Sequence, residues 1–461
     1  MRMTYRTSFQ VFIAVSLILT ASSSNCRAQV TPQPSPRQSV DRESWRESMS
    51  RTPLPKHGCF HASYPSTEWQ EVQCVAAPQI PHGPATAPLL RHGPTSGAGP
   101  EIVGNGALTD FSANVPAGVI TEAAGDFPIV SGVAGEADST YGTNAFSVQL
   151  NSNKIPMPCA NPAGCLGWQQ FVFVNLPESP SLSGVFIEYW LLNDDVCPQT
   201  WTPSPAMPGQ APGCFFNSQM VQVIPIPITD LGNLNLLGKS TSGGDLAELQ
   251  GSGTEPVLYA MEQDSMLNLW QNWNTVEFNV FGVAHGSEAK FPSGSTLAVE
   301  IGLIAPSFPT CIIDSFPSEF TNLTLLPYSM PYCLTYDLSL QSGTTGQIEF
   351  MENNGGAATY QIPTAAPASS VTMTSAQLNG SVNTSGLPTL AWFQYGTNSG
   401  ALDCTSPTLT PVQTTSGSFS SVASPLSSGT TYYFVACALN PGGLVGTVAS
   451  FITTEPPSPP H

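Results

Sequence analysis

Positive charge nearly runs out after the first fifth of this 461-residue chain. The 370 residues beyond Arg91 hold three lysines (Lys154, Lys239 and Lys290), no arginine and 26 acidic residues. With no cationic patch to neutralise phosphates, nucleic acid and anionic membrane surfaces are disfavoured as partners. Gly-rich phosphate loops with a lysine are missing as well. Histidine is as scarce: past position 92 only His285 and His461 occur. A Ser-His-Asp triad or Cys-His pair there could use only His285, whose Ala-His-Gly-Ser-Glu setting reads as a surface turn, and no GxSxG elbow is present. CxxC spacing and paired histidines are absent, so no metal site and no cofactor are expected. No segment beyond the N-terminal one is apolar for long enough to span a bilayer. Carboxylate and amide chemistry remains, or no catalysis at all.

The N-terminus reads as a secretory signal over residues 1–29. Arg2 and Arg6 precede a short apolar core from Val11 to Ala21, with cleavage expected near Ala28-Gln29. An uncleaved anchor is the alternative. Removal of the signal takes away Cys26 and leaves ten cysteines, which fall as neighbours: 59 and 74, 159 and 165, 197 and 214, 311 and 333, 404 and 437. In an exported chain this predicts five short-range disulfides.

Abundant Gly, Pro, Ser, Thr and Asn, with charged residues at only 9%, point to an all-β protein with a polar uncharged surface. Residues 30–100 read as a Pro-rich leader or propeptide. Its first part, to about 56, is expected to be flexible, and a small aromatic knot closes between Cys59 and Cys74. Six prolines between 76 and 100 read as an extended linker. Residues 101–355 read as the main domain, a jelly roll or β-sandwich of short alternating strands. Gln169 to Leu176 and Val185 to Leu192 form a hairpin with both faces buried. Thr275 to Phe281 and Thr296 to Ile304 form another pair, and the one helix expected spans Glu262 to Trp270.

A smaller domain follows over residues 366–455, with a disordered tail at 456–461. Ser375-Ala-Gln-Leu-Asn-Gly-Ser-Val-Asn383, Ala391-Trp-Phe-Gln-Tyr-Gly-Thr397 and Leu426-Ser-Ser-Gly-Thr-Thr-Tyr-Tyr-Phe-Val-Ala-Cys-Ala-Leu-Asn440 resemble strands of bacterial fibronectin type III-like modules. The resemblance implies a small sandwich with Tyr432 at its tyrosine corner, used as a spacer or weak binding unit.

Three acids interrupt apolar strand runs: Glu188, Glu277 and Glu300. A buried carboxyl is costly unless hydrogen-bonded, and burial raises its pKa, which makes such groups candidates for general acid work. Alternation puts Glu277 on one face with Thr275 and Asn279, and sets Gln169 and Gln170 on opposite faces. Trp190, Glu188 and Trp270 are candidates for a sugar-binding groove, since aromatic faces stack on pyranose rings.

The stretch Gly167-Trp168-Gln169, then Phe186 to Asn193, Gly213-Cys-Phe-Phe-Asn217 and Val221, resembles the layout of neprosin-type glutamic peptidases. Val276-Glu277-Phe278 is similar to the glutamate strand of those enzymes and of the eqolisin group. The resemblance implies an acid-active β-sandwich with Glu277 as general acid/base and Gln169 or Gln170 as the oxyanion-stabilising amide. The acid expected before the Gly-Trp pair and the Gly-Gly-Glu signature are both missing. Two readings follow. The first is a secreted, disulfide-bonded protein whose main sandwich binds an extracellular polysaccharide, a cell wall or a protein ligand. The second is a hydrolase of glutamic-peptidase type. A glycosidase using two of Glu188, Glu277 and Glu300 would need two facing carboxyls about 5–9 Å apart.

Overall fold

The computed structural model describes residues 36–82, 110–158, 164–194, 196–204, 212–251, 257–284, 286–314, 320–325, 333–337, 346–355, 363–384, 389–402, 404, 412–414, 417–439 and 447–454. Runs of aromatic and β-branched residues, broken by Gly, Pro and Asn, form short strands that pair almost entirely antiparallel. Two sheets dominate. The front sheet runs in the order Thr202–Ser204, Gly213–Asn217, Gly184–Leu192, Cys165–Asn175, Phe146–Ser152, Thr275–Phe281, Asp110–Asn114 and Thr310–Asp314. The back sheet includes, in order, Gly58–Ser63, Val257–Gln263, Gly244–Gly251, Asn235–Thr241, Glu122–Ser131, Thr296–Ile304 and Gly346–Asn353.

Between the sheets lies one apolar core. Leu150, Phe171, Ile187 and Phe278 from the front meet Phe127, Leu236, Leu249, Val299 and Phe350 from the back. Each large side chain buried here contributes about 1.5–3 kcal/mol. Two front-sheet rings sit in sockets made by glycine. A Cβ on Gly125 would stand 2.1 Å from Cγ of Phe278, and one on Gly238 would stand 2.4 Å from Cδ2 of Phe171. The sheets close this tightly only because those two positions carry no side chain.

The all-β sandwich matches expectation, and so do the described disulfides. Cys59–Cys74, Cys197–Cys214, Cys311–Cys333 and Cys404–Cys437 are formed. Cys165 is also disulfide-bonded, and position 159 lies outside the described residues.

Three local expectations fail. Thr275–Phe281 and Thr296–Ile304 do not pair: the first lies between Phe146–Ser152 and Asp110–Asn114 in the front sheet, the second between Glu122–Ser131 and Gly346–Asn353 in the back sheet, so they face each other across the core. The helix expected over Glu262–Trp270 is absent. Val257–Gln263 is a strand, with Glu262 paired to both Gly58 and Leu246, and only Leu269–Gln271 makes a 3-10 turn. Asn268 adopts the left-handed region at φ 53°, which breaks any helix there. The stretch expected as a flexible leader is likewise structured. Pro36–Ser50 is a helix whose Trp45 and Met49 pack on Ala62 and Leu258, and Ser50 Oγ donates to Glu248 Oε1 at 2.6 Å. Strand Gly58–Ser63 extends the back sheet and buries Cys59 in the main core. Val75–Ala76 pairs with Gln219–Gln222 beside the front sheet. Residues 58–82 are thus built into the sandwich that the sequence suggested would begin at 101.

A second, smaller sandwich follows. Thr364–Ser369, Ala376–Ser381 and Ser418–Ala423 form one sheet, and Val412–Thr414, Thr389–Gly396, Thr431–Leu439 and Thr447–Ile452 the other. The Tyr432 hydroxyl accepts the Ser427 N–H at 3.0 Å, the bond of a tyrosine corner. This sandwich is not held at a distance. Leu390, Trp392 and Val435, with the Cys404–Cys437 bridge, pack on Ile129, Ala298 and Met351 of the back sheet.

Overfilling the Phe278 socket tests this packing. Gly125→Ala is expected to lower stability by about 1–3 kcal/mol, read as a lower urea midpoint. Adding Phe278→Leu should recover part of that loss, because the two positions are in contact.

Candidate functional site

Side chains on a strand alternate between faces, so the residues between the core positions of the front sheet all point the other way. Antiparallel register then lines them up. Asn217 pairs with Glu188, Glu188 with Gln170, Gln170 with Asn151, Asn151 with Glu277, and Glu277 with Ser112. Six polar residues from six strands make one row across the sheet. Gln170, Glu188, Glu277 and Ser112 are 0% exposed.

Hydrogen bonds knit the middle of the row. Trp190 Nε1 donates to Gln170 Oε1 at 3.1 Å. Gln170 Nε2 donates to Gln149 Oε1 at 2.8 Å and to Asn151 Oδ1 at 3.0 Å. Asn151 Nδ2 donates to Glu277 Oε2 at 2.8 Å. Next along the Glu277 strand, Asn279 Nδ2 donates to Asp110 Oδ2 and Glu352 Oε2. The structure therefore joins Gln170 to Glu277 through Asn151, with the two strands roughly 10 Å apart.

Gln169 does not belong to this group. It faces the inter-sheet side, opposite Tyr189, where the Tyr189 hydroxyl donates to Asp245 Oδ2 and Ser240 Oγ to Asp245 Oδ1. Burial raises the Asp245 carboxyl, opposed by the hydrogen bonds from Ser240 and Tyr189.

Glu188 has a partner that the sequence did not reveal. The His82 main-chain N–H reaches its Oε1 at 2.9 Å, and His82 Nδ1 lies 2.7 Å from its Oε2. Both side chains are fully buried, and Asn217 Nδ2 donates to Pro78 O at 2.8 Å. Residues 78–82 thus lie over one end of the row. His82 stands ahead of the stretch past position 92 in which histidine is so scarce. The one signal pointing to it was Glu188 itself, an acid in an apolar run that needed a buried donor.

The sugar-groove candidates are not arranged as a platform. Trp190 is buried in a cluster with Trp168, Phe215 and Leu192, its ring stacked on Phe215 at 5.3 Å between centroids. Trp270 sits half-buried in the 3-10 turn, in none of the elements that build the row. Glu300 lies on the back sheet, in register with Asp126 and Glu349, beside a cleft of about 160 Å³. Burial, with Asp126 and Glu349 beside it, holds its carboxyl well above the usual range. Glu188 and Glu277 are three strands apart, roughly 14 Å between their backbones, with Gln170 and Asn151 standing between them. His285 lies outside the described residues. Among the described residues no group of three or more His, Cys, Asp or Glu could hold a metal ion.

No protein-family model matches the chain, and no curated protein matches it. Among solved structures it is similar to domains A168–A170 of titin, at 10% identity over 68% of this chain and all of that one, with a TM-score of 0.15. A likeness so slight carries no argument.

Several buried carboxyls share one electrostatic condition. Burial pushes Glu248 up to about 7, against the bond from Ser50. It pushes Glu352 up to about 8, against the bond from Asn279. Burial, and then Asp138, push Glu136 up to about 9. A carboxyl raised on folding binds its proton more tightly in the native state. Its contribution is whole below the ordinary value of 4.5 and is lost as pH rises through the folded value. The melting temperature is therefore expected to fall between about pH 5 and 9. Glu352→Gln should remove the part of that fall that runs from about 4.5 up to about 8.

Proposed function

We propose that this disulfide-bonded all-β protein is an exported, acid-acting hydrolase of glutamic-peptidase type. Glu277 is its general acid/base, and an amide of the same row stabilises the oxyanion. The observation that supports this reading is the register that carries Gln170, Asn151 and Glu277 side by side on one buried face. In the reaction, ionised Glu277 takes a proton from water as the water oxygen bonds to the substrate amide carbon. The carbonyl electron pair moves onto oxygen, where an amide N–H holds it. Collapse breaks the C–N bond, and Glu277 returns the proton to the leaving nitrogen.

Burial of the row belongs to the same proposal. The structure is read as a latent form in which residues 78–82 cover the Glu188 end, with Glu188 gripped by His82. Because residues 58–82 share the core, the activating cut is placed beyond His82, within 83–109, and the preceding segment stays bound. The smaller sandwich, docked on the far sheet, is read as a fibronectin-like accessory module that leaves the row untouched.

Acidification of the purified protein to between roughly pH 2 and 6 is expected to produce self-cleavage within residues 83–109, read by mass spectrometry, and hydrolysis of a denatured protein substrate. Glu277→Gln should abolish both. A wild-type protein that cleaves neither itself nor the substrate anywhere in that range, even after a cut is introduced between 83 and 109, would sink the proposal.

A further inference from the structure

Resting on the hydrolase reading, we infer that Asn151, not Gln170, is the amide that holds the reacting carbonyl oxygen, and that Gln170 is a positioning residue that dictates how Asn151 points. The inference comes from counting donors and acceptors. An indole N–H can only donate, so the Trp190 contact requires the carbonyl side of Gln170 to face it. The NH₂ side of Gln170 must then face Gln149 and Asn151, and its two protons are both used there. A second fixed end agrees. The Gly282 carbonyl can only accept, so the Ser147 hydroxyl donates to it at 2.8 Å. Gln149 Nε2 donates to Ser147 Oγ at 2.7 Å, which leaves Gln149 Oε1 to accept from Gln170. Amide orientations are otherwise a free choice of two; here a donor at one end and an acceptor at the other leave one.

The polarity then runs on to the acid. Asn151 Oδ1 accepts from Gln170, so its NH₂ faces Glu277 and donates to Oε2. Oε2 is held as an acceptor, and the proton of the general acid belongs on Oε1. Asn151 uses one N–H on Glu277, and its second has no acceptor among the described residues. Gln170 has no N–H left to offer. Asn151 is also the register neighbour of Glu277, where facing side chains stand about 4.5–5.5 Å apart at Cβ. One substrate carbonyl can therefore meet an Asn151 N–H while Glu277 handles the water. Among the described residues, the other groups beside Glu277 on this face are Ser112 and Asn279, with Asp110 and Glu352 beyond Asn279.

Two measurements test this on the full-length protein, with folding checked by circular dichroism. The first follows the Glu277 carboxyl by ¹³C NMR across pH in Asn151→Leu and Gln170→Leu, and needs no activity. Loss of a donor to the ionised form should raise the Glu277 midpoint in Asn151→Leu and move it less in Gln170→Leu. The second measures peptide hydrolysis. Asn151→Leu should lower kcat on the order of 100-fold with little change in KM, as loss of an oxyanion donor does, and Gln170→Leu should cost less. If Asn151→Leu does not fold, Asn151→Ser serves, since its hydroxyl is too short to span to Glu277. An unmoved Glu277 midpoint, or a larger kcat loss in Gln170→Leu than in Asn151→Leu, overturns the assignment. If the wild type hydrolyses nothing, the hydrolase reading falls and the oxyanion role with it, while a shifted midpoint would still uphold the polarity of the hydrogen-bond chain.

Discussion

A strand gives each side chain one of two directions, and antiparallel register gives it fixed neighbours. That pair of constraints produces the rest of this molecule. Along the front sheet one parity supplies Leu150, Phe171 and Phe278 to the core. The other supplies Asn151, Gln170 and Glu277 to the row. A slip of one residue in any of these strands would exchange the two sets, placing a carboxyl among phenylalanines. Apolar packing therefore fixes the polar row as firmly as it fixes the core.

The scarcity of cations shapes how the carboxyls are accommodated. With three lysines beyond Arg91, ion pairing serves few of the buried acids. His82 serves Glu188. The others lean on amides and hydroxyls, as Glu277 does on Asn151, Glu352 on Asn279 and Glu248 on Ser50. Such partners do not neutralise charge, so burial dominates at Glu248 and Glu352 and raises both carboxyls. In acid such a carboxyl is a neutral hydrogen-bonding group rather than a buried anion.

Much of this was legible in sequence because the signals were local. Alternation in Phe146–Ser152 and Thr275–Phe281 marked the strands, and it placed Glu277 on a polar face with Asn279. The even cysteines in neighbouring pairs marked the described bridges. Tyr432 marked its corner. The misses came where distant pairing overrode local pattern. Glu262 lies in a strand because Gly58 and Leu246 flank it, and nothing within 262–270 reports that. His82 looked like a linker residue because its partner is 106 positions away. Alternation in Phe146–Ser152 sets Asn151 on the polar face with Ser147 and Gln149, but an asparagine in a short strand is ordinary. Its importance comes only from standing between Gln170 and Glu277.

The smaller sandwich meets the larger through Trp392, Leu390 and Val435 seated on Ile129, Ala298 and Met351. A tether between domains carries tension and nothing else. An apolar seat also resists sliding and twist, so a pull or torque at the C-terminal end reaches the back sheet as shear across that contact. Whatever the small sandwich holds, the larger domain is held at a fixed attitude to it rather than on a leash.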